Sequence, residues 1–104
     1  IKVVDWMKVQ NHLDDAATVI NTTSLGMTGK ADLPIPLDKL SKNTLVTDIV
    51  YTPLKTPLLA YASKNGCRIV DGLGMLIHQA IPGFERWFGV KPADSQDLRE
   101  LLLK

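Results

Sequence analysis

Three short segments of the sequence carry side chains that could bind a polar ligand. The first has three hydroxyls in a row, Thr22-Thr23-Ser24, and the second has Tyr51 directly after an apolar run. The third, residues 72–79, has glycines at positions 72 and 74 and ends with His78 and Gln79. Hydroxyl and amide groups both donate and accept hydrogen bonds. These segments are therefore the candidates for ligand recognition.

Each candidate also has an ordinary structural interpretation. A run of hydroxyls before a glycine is typical of a turn that satisfies its own backbone. Tyr51 could be a half-buried tyrosine with a hydrated hydroxyl, and Met75 at a helix start could belong to the core. Gln79 could be a solvated residue. The residue types alone leave both interpretations open.

Strands must position these three segments. Four short apolar runs in the sequence predict such strands. The runs are Ile1–Val4, Thr18–Asn21, Thr44–Val50 and Cys67–Val70. We expect the second to be buried on both faces. Strand, helix and strand between residues 44 and 70 are typical of a parallel βαβ unit with a right-handed crossover. The sequence therefore predicts an α/β fold with a parallel sheet of about four strands.

The helix between the last two runs is marked by its caps. Thr56 is a predicted N-cap, and Pro57 takes the first helical position, where its missing N–H costs nothing. The helix should end near Lys64, with Gly66 as its C-terminal cap.

A longer helix should follow residue 72, because apolar residues recur there at three- and four-residue steps. They are Leu73, Leu76, Ile77, Ala80, Ile81, Phe84, Trp87 and Phe88. Gly72 and Gly74 lie where strand becomes helix, and without a Cβ they allow a ligand close to the backbone.

Trp6–Leu13 is a weaker helical segment. A last helix, Gln96–Leu103, would be capped by Asp94 or Ser95.

Composition narrows the function classes. A chain of 104 residues can form one domain, and its net charge of +1 creates no field that attracts nucleic acid or an anionic membrane. No apolar stretch is long enough for a membrane span. The single cysteine, Cys67, permits no internal disulfide or metal cluster and suggests a small buried hydrophobe. The chain begins at Ile1 without a signal pattern, so we expect a piece of a longer protein.

A complete dinucleotide-binding domain needs a glycine-rich turn after its first strand to hold the pyrophosphate. The sequence contains no such GxGxxG turn. Gly72-Leu73-Gly74 is too short a match and lies at the wrong end of the fold.

Three stretches, in this order, resemble the shikimate dehydrogenases, the NADP-dependent reductases of the aromatic amino-acid pathway. They are NTTSLGM from Asn21, DIVYTPLKTPLL from Asp48, and GLGMLIHQA from Gly72, with FERWFG closing the helix. The resemblance implies that residues 1–104 are the C-terminal portion of an NADP-binding domain, a partial Rossmann-like three-layer fold with closing C-terminal helices. The substrate domain, its catalytic lysine and aspartate, and the phosphate loop would lie outside the chain.

The resemblance also implies roles for individual residues. The cofactor contacts would be Thr23, Ser24, Ile49, Gly72 and Met75. Tyr51 and Gln79 would bind the substrate. Asn21 would hold its loop and Asp48 would be a structural carboxylate. No catalytic residue or metal ligand is assigned, and His78 has no role.

The parent enzyme would be cytoplasmic and would reduce 3-dehydroshikimate to shikimate with NADPH, while this fragment alone would be inactive. One alternative is a quinate/shikimate dehydrogenase that uses NAD. Another is a non-catalytic interaction module on the same fold.

The truncation should also leave an open sheet edge. If Ile1–Val4 and Thr18–Asn21 are strands 3 and 4 of the common dinucleotide-fold order, strands 1 and 2 are missing between them. We expect Ile1–Val4 to pair with Thr18–Asn21, or a second copy of the chain to form a dimer there.

Overall fold

A single parallel sheet organises the molecule. The computed structural model describes residues 1–93 and 96–104. Its elements are a 3₁₀ helix at Trp6–His12, strands β1 (Thr18–Asn21), β2 (Leu45–Asp48) and β3 (Arg68–Val70), and helices α1 (Pro57–Lys64), α2 (Gly72–Phe88) and α3 (Gln96–Leu102). The strands lie in the order β1-β2-β3, and both pairings are parallel. The predicted parallel α/β fold is confirmed.

The predicted strand count was wrong, because the sheet has three strands rather than about four. Ile1–Val4 forms no strand, and Ile1 and Val3 project into solvent. A short apolar run remains irregular when no ladder of hydrogen bonds offsets the entropy of ordering it. The expected pairing of Ile1–Val4 with β1 is therefore also absent from the described residues.

The two faces of β1 are less covered than expected. Thr18 is exposed and Ile20 is 56% exposed, so the prediction of a strand buried on both faces was wrong. β1 is an edge strand, and β2 is the central strand with alternating partly and fully buried residues. The open sheet edge predicted at Thr18–Asn21 is confirmed, because β1 lies at the end of the strand order.

The main core lies between α1 and the sheet, since α1 packs against β2 and β3. Its buried members are Leu40, Val46, Leu58, Leu59, Ala62 and Cys67. Cys67 is buried as predicted, and its thiol donates to the carbonyl of Ser41 at 3.3 Å.

The predicted caps of α1 are confirmed. The hydroxyl of Thr56 accepts from the amide of Leu59 at 3.4 Å, and Pro57 occupies the first turn. The helix ends at Lys64, and Gly66 follows it with a φ of +84°, a left-handed conformation that glycine adopts without steric cost.

Helix α2 begins at an aspartate cap and ends at a glycine. The Asp71 carboxylate accepts from the amide of Leu73 at 3.1 Å, and Gly89 closes the helix with a φ of +71°. Asp71 also receives the guanidinium of Arg99 from α3 at 2.5 Å. That hydrogen bond raises the pKa of Arg99 above its ordinary value. One carboxylate therefore caps α2 and ties α3 to it.

Helix α3 is only partly buried. Leu98 is partly buried, whereas Leu101 and Leu102 are exposed. The predicted caps Asp94 and Ser95 lie outside the described residues. Within the described residues, no helix combines the length and the apolar character that crossing a membrane requires.

Candidate functional site

The candidate residues follow the carboxyl ends of three parallel strands. The loop with Thr23 and Ser24 follows β1, Ile49 and Tyr51 follow β2, and Gly72 begins α2 just after β3. In open parallel sheets, ligands bind at this edge, because the strand-end loops meet there. The fold therefore brings the three sequence segments to one edge of the sheet.

Asp48 lies beneath these loops and is 1% exposed. Its Oδ1 accepts from the side-chain amide of Asn21 and from the backbone amide of Val50, both at 3.0 Å. Its Oδ2 accepts from the hydroxyl of Thr56 at 2.7 Å. A buried carboxylate needs such donors to offset its desolvation. The interpretation of Asp48 as a structural carboxylate is confirmed.

Asn21 holds the loop after β1, as predicted. Its Oδ1 accepts from both the amide and the hydroxyl of Thr23, at 3.0 Å and 2.7 Å. Its Nδ2 donates to the carbonyl of Leu25 at 3.0 Å as well as to Asp48. The loop thus has the self-satisfying turn structure that the hydroxyl run suggested.

The two predicted cofactor contacts in this loop differ in what they offer a ligand. The Thr23 hydroxyl donates its proton to Asn21 and accepts from the Leu25 amide at 3.1 Å. A hydroxyl has one proton and two lone pairs, so Thr23 keeps only an acceptor position for a ligand. Ser24 is exposed at the surface of the loop. Its side chain is the more accessible of the two.

The loop after β2 is joined to the loop after β1 by backbone hydrogen bonds. The amide of Ile49 donates to the carbonyl of Asn21 at 3.1 Å, and the amide of Thr28 donates to the carbonyl of Thr52 at 2.9 Å. Tyr51 lies between these two contacts and is 44% exposed. Its ring therefore projects from a backbone that is anchored on both sides.

Gly72 lies against the chain's own backbone. A Cβ built on it would contact the carbonyl oxygen of Ile49 and would lie 2.7 Å from that of Val50. Real Cβ atoms do not tolerate such distances, so glycine is required here for packing of α2 against the end of β2. Gly72 was predicted to leave this space for a ligand, and in the structure the backbone of Ile49 and Val50 occupies it instead. Gly74 has no neighbour within 4 Å of its Cβ position.

Gly72, Met75 and Gln79 share one face of α2, because they are spaced three and four residues apart. Met75 is 43% exposed and Gln79 is exposed. Gln79 lies about 10 Å along the axis from Gly72. Gln79 lines an apolar groove of about 470 Å³ along this helix. The groove continues through Leu76, Ala80, Gly83, Phe84, Trp87 and Phe88.

The pairing of Asn21 with Asp48, and its link to Thr56, were not predicted from the sequence. Asn21 and Asp48 are opposite each other in the parallel register at the ends of β1 and β2. Two polar residues that end neighbouring strands are a usable signal once the register is known. Among residues 1–93 and 96–104, no cluster of histidine, cysteine, aspartate or glutamate could hold a metal ion.

Comparison with known proteins gives this edge a context. The family model for the shikimate 5'-dehydrogenase C-terminal domain matches residues 72–103. The shikimate dehydrogenase (NADP(+)) of Cereibacter sphaeroides strain ATCC 17025 is 61% identical over 103 residues, which are 99% of this chain and 37% of that protein. The chain belongs to the shikimate dehydrogenase family, whose C-terminal part it matches. The resemblance seen in the sequence is confirmed.

Other relatives agree. The Paracoccus denitrificans shikimate dehydrogenase (NADP(+)) is 57% identical over 99% of the chain and 36% of that protein. The chain thus spans little more than a third of the length of these curated relatives.

Two solved structures support the Rossmann-like fold. Quinate dehydrogenase from Corynebacterium glutamicum, in complex with NAD, has a TM-score of 0.86 at 35% identity over 96% of this chain and 35% of that chain. Shikimate 5-dehydrogenase from Thermus thermophilus, in complex with NADP(H) and shikimate, has a TM-score of 0.75 at 28% identity over 89% of this chain and 34% of that chain.

Proposed function

We propose that the chain is the C-terminal part of a cytoplasmic NADP-dependent shikimate dehydrogenase that interconverts 3-dehydroshikimate and shikimate. The observation that carries the proposal is the convergence of the three family-like segments at the carboxyl edge of one parallel sheet. The 61% identity to a named shikimate dehydrogenase supports the choice of reaction.

The residues at this edge fit the nicotinamide end of a dinucleotide. Ser24 offers an exposed hydroxyl, Thr23 offers an acceptor position, and Met75 offers an exposed apolar side chain. We assign the ribose and amide contacts to Thr23, Ser24 and the backbone of Ile49, and the contacts with the ring to the backbone of Gly72 and the side chain of Met75. NADPH supplies a hydride when it is bound.

Tyr51 and Gln79 would bind the hydroxyl groups of the substrate. A phenol and a carboxamide each donate and accept, which suits a polyhydroxylated ring. Both side chains are exposed, one on the strand-end loop and the other on α2. Their task is orientation, which keeps the reacting carbonyl aligned with the hydride donor. Proton transfer would fall to residues outside this chain.

Activity should therefore require the preceding part of the enzyme. The test compares the isolated 104 residues with a full-length enzyme, made by replacing the matching C-terminal residues of the Cereibacter sphaeroides relative with this chain. We expect shikimate-dependent NADP⁺ reduction by the full-length enzyme and none above background by the isolated chain. An inactive but folded full-length enzyme would contradict the proposed reaction, and turnover by the fragment would contradict its expected inactivity.

Gln79→Ala in that full-length enzyme tests the substrate assignment. Loss of the amide should lower kcat/KM for shikimate by the equivalent of about 1–3 kcal/mol, with little change in the KM for NADP⁺. Gln96→Ala, on exposed α3, is the matched control and should leave both values unchanged. Equal effects of the two substitutions would remove Gln79 from the site.

A second candidate, quinate oxidation with NAD, is favoured by one observation. The chain superimposes on the quinate dehydrogenase complex with a TM-score of 0.86. Assays of the same full-length enzyme with both substrates and both cofactors decide between the two. We expect the largest kcat/KM for shikimate with NADP⁺. A larger value for quinate with NAD⁺ would establish the second candidate.

We propose separately that the chain self-associates through the edge of β1. A non-catalytic interaction module on the same fold would use the same edge. β1 is an edge strand with Ile20 more than half exposed. Unpaired N–H and C=O groups at such an edge can accept another strand. We expect the isolated chain to form a dimer by light scattering, and Ile20→Lys to return it to the monomer. A monomer at high concentration would contradict this proposal.

A further inference from the structure

Two buried side chains connect the loop after β1 to the loop after β2. Asn21 Nδ2 donates to Asp48 Oδ1 at 3.0 Å, and both residues are almost completely buried. We propose that Asn21 and Asp48 are positioning residues that fix the cofactor-side loop relative to the substrate-side loop. This inference rests on the proposed function, since it concerns the alignment of the same two ligands.

On the β1 side, the side-chain amide of Asn21 is hydrogen-bonded to Thr23, which is one of the proposed cofactor contacts. Its Oδ1 accepts twice from Thr23, and its Nδ2 also donates to the carbonyl of Leu25. Both polar atoms of the Asn21 side chain are therefore engaged, Oδ1 with its own loop and Nδ2 with both its own loop and Asp48. A shift of Asn21 must move Thr23 with it.

On the β2 side, Asp48 fixes the backbone immediately before Tyr51. Its Oδ1 accepts from the amide of Val50, and its Oδ2 accepts from Thr56, the cap of α1. Asp48 is thereby held by a helix as well as by its own strand. Buried, fully satisfied networks of this kind are rigid. The pair therefore fixes the positions of both loops relative to β2 and the start of α1.

Such positioning matters for hydride transfer, because donor and acceptor must be aligned. A misplacement of about 1 Å can lower a rate by about a hundredfold. The backbone contacts between the two loops already hold them together. The side-chain pair adds a direct hydrogen bond between the polar residues that end β1 and β2, and in this proposal it sets the spacing of the two loops.

Thr44 provides a matched control at the opposite end of β2. It is as buried as Asp48, and its hydroxyl donates to the carbonyl of Ala16 at 2.8 Å. This bond also ties β2 to the segment before β1, but at the amino end of the sheet. Thr44→Val removes a buried hydrogen bond without touching the site.

The experiment measures kcat per folded molecule in the full-length enzyme. Asn21→Asp keeps an acceptor for Thr23 but places a second carboxylate against Asp48. Adding Asp48→Asn restores a donor and an acceptor between the two positions. We expect Asn21→Asp to lower kcat by about tenfold or more, with part of this loss recovered in the double variant. Thr44→Val should stay within about twofold per folded molecule, whatever its effect on the melting temperature.

A purely structural role predicts a different result. It would lower the folded fraction in Asn21→Asp and Thr44→Val alike, with kcat per folded molecule unchanged in both. That outcome overturns the proposal, and so does a double variant that is no faster than Asn21→Asp alone.

Amide exchange provides a test that does not depend on activity or on a folded Asn21→Asp variant. In Asp48→Asn, protection of the Thr23 and Val50 amides should fall together by about tenfold. The Asn65 amide, which donates to the carbonyl of Tyr61 at the far end of α1, should keep its protection. Loss at Val50 without loss at Thr23 overturns the proposed coupling. If the unaltered full-length enzyme oxidises no shikimate, the proposed function fails, and this exchange measurement still decides whether the pair couples the loops.

Discussion

The half of the molecule built from the sheet and α1 differs from the half built from α2 and α3 in how its apolar side chains are covered. In the first half, Leu59 and Val46 are completely inaccessible to solvent. In the second half, Trp87 is 80% exposed, and Phe84 and Phe88 contact each other with ring centroids 4.5 Å apart. Similar apolar content therefore yields a packed core in one half and an open helix face in the other.

The difference lies in what each helix packs against. α1 lies on the sheet, whereas the buried residues of α2, which are Gly72, Leu73 and Ile77, all lie in its first two turns. From Leu76 to Phe84, α2 shares a groove of about 410 Å³ with Leu98 and Leu102 of α3. Helical periodicity thus predicts which side chains share a face, and tertiary packing decides whether that face is covered.

The largest effect should come from core truncation. Leu59→Ala in the isolated chain removes a fully buried side chain and should lower the free energy of unfolding by about 2–5 kcal/mol. Trp87→Ala removes a larger side chain from the open face and should change it by less than about 0.5 kcal/mol. Urea denaturation measures both. A loss at Trp87 equal to that at Leu59 would show that the two halves are equally packed.

The glycines of α2 should give effects of opposite sign. Gly72→Ala pushes a methyl group against the backbone at the end of β2 and should destabilise the chain by about 1–3 kcal/mol. Gly74→Ala enters open space inside a helix and should stabilise it by up to about 1 kcal/mol. The melting temperatures of both variants, measured by thermal unfolding, show where along α2 the packed half ends and the open half begins. A stable Gly72→Ala variant would show that α2 does not lie against β2.

The smallest effect should come from the contact between α2 and α3. Arg99→Ala removes the ion pair with Asp71 but leaves the cap of α2 intact, because Asp71 still accepts from Leu73. Amide protection should fall in α3 and stay unchanged in β2 and α1. Arg99→Lys, which keeps the charge, should retain part of the protection. Loss of protection across the sheet would mean that α3 supports the whole fold.

The sequence predicted local structure better than the pairing of distant residues. Thr56 and Pro57 specified the start of α1, because the cap and the fixed φ of proline act within one turn. The apolar period after Gly72 gave the extent of α2 for the same reason. The edge position of β1 was predicted from the strand order of the fold. The exposure of the Ile20 side chain was not predicted, because an apolar run does not show whether both faces of its strand are covered.

The site shows the same division. Its segments could be located from strand ends and from family resemblance, and Asn21 and Asp48 were each given a structural role. Their hydrogen bond depends on the parallel register that aligns residue 21 with residue 48. The true neighbour of Gly72, the carbonyl of Ile49, likewise depends on how α2 packs against β2. Neither contact follows from the local pattern.

Chemical-shift mapping tests most directly whether both ligands bind at the carboxyl edge of the sheet. Backbone amide shifts of the full-length enzyme are followed during titration with NADP⁺ and then with shikimate. We expect NADP⁺ to move the signals of Thr23, Ser24, Ile49, Gly72 and Met75, and shikimate then to move those of Tyr51 and Gln79. Thr44, at the amino edge, should stay unchanged. Shifts centred on Thr44, with none at Thr23 or Gly72, would contradict binding at the carboxyl edge.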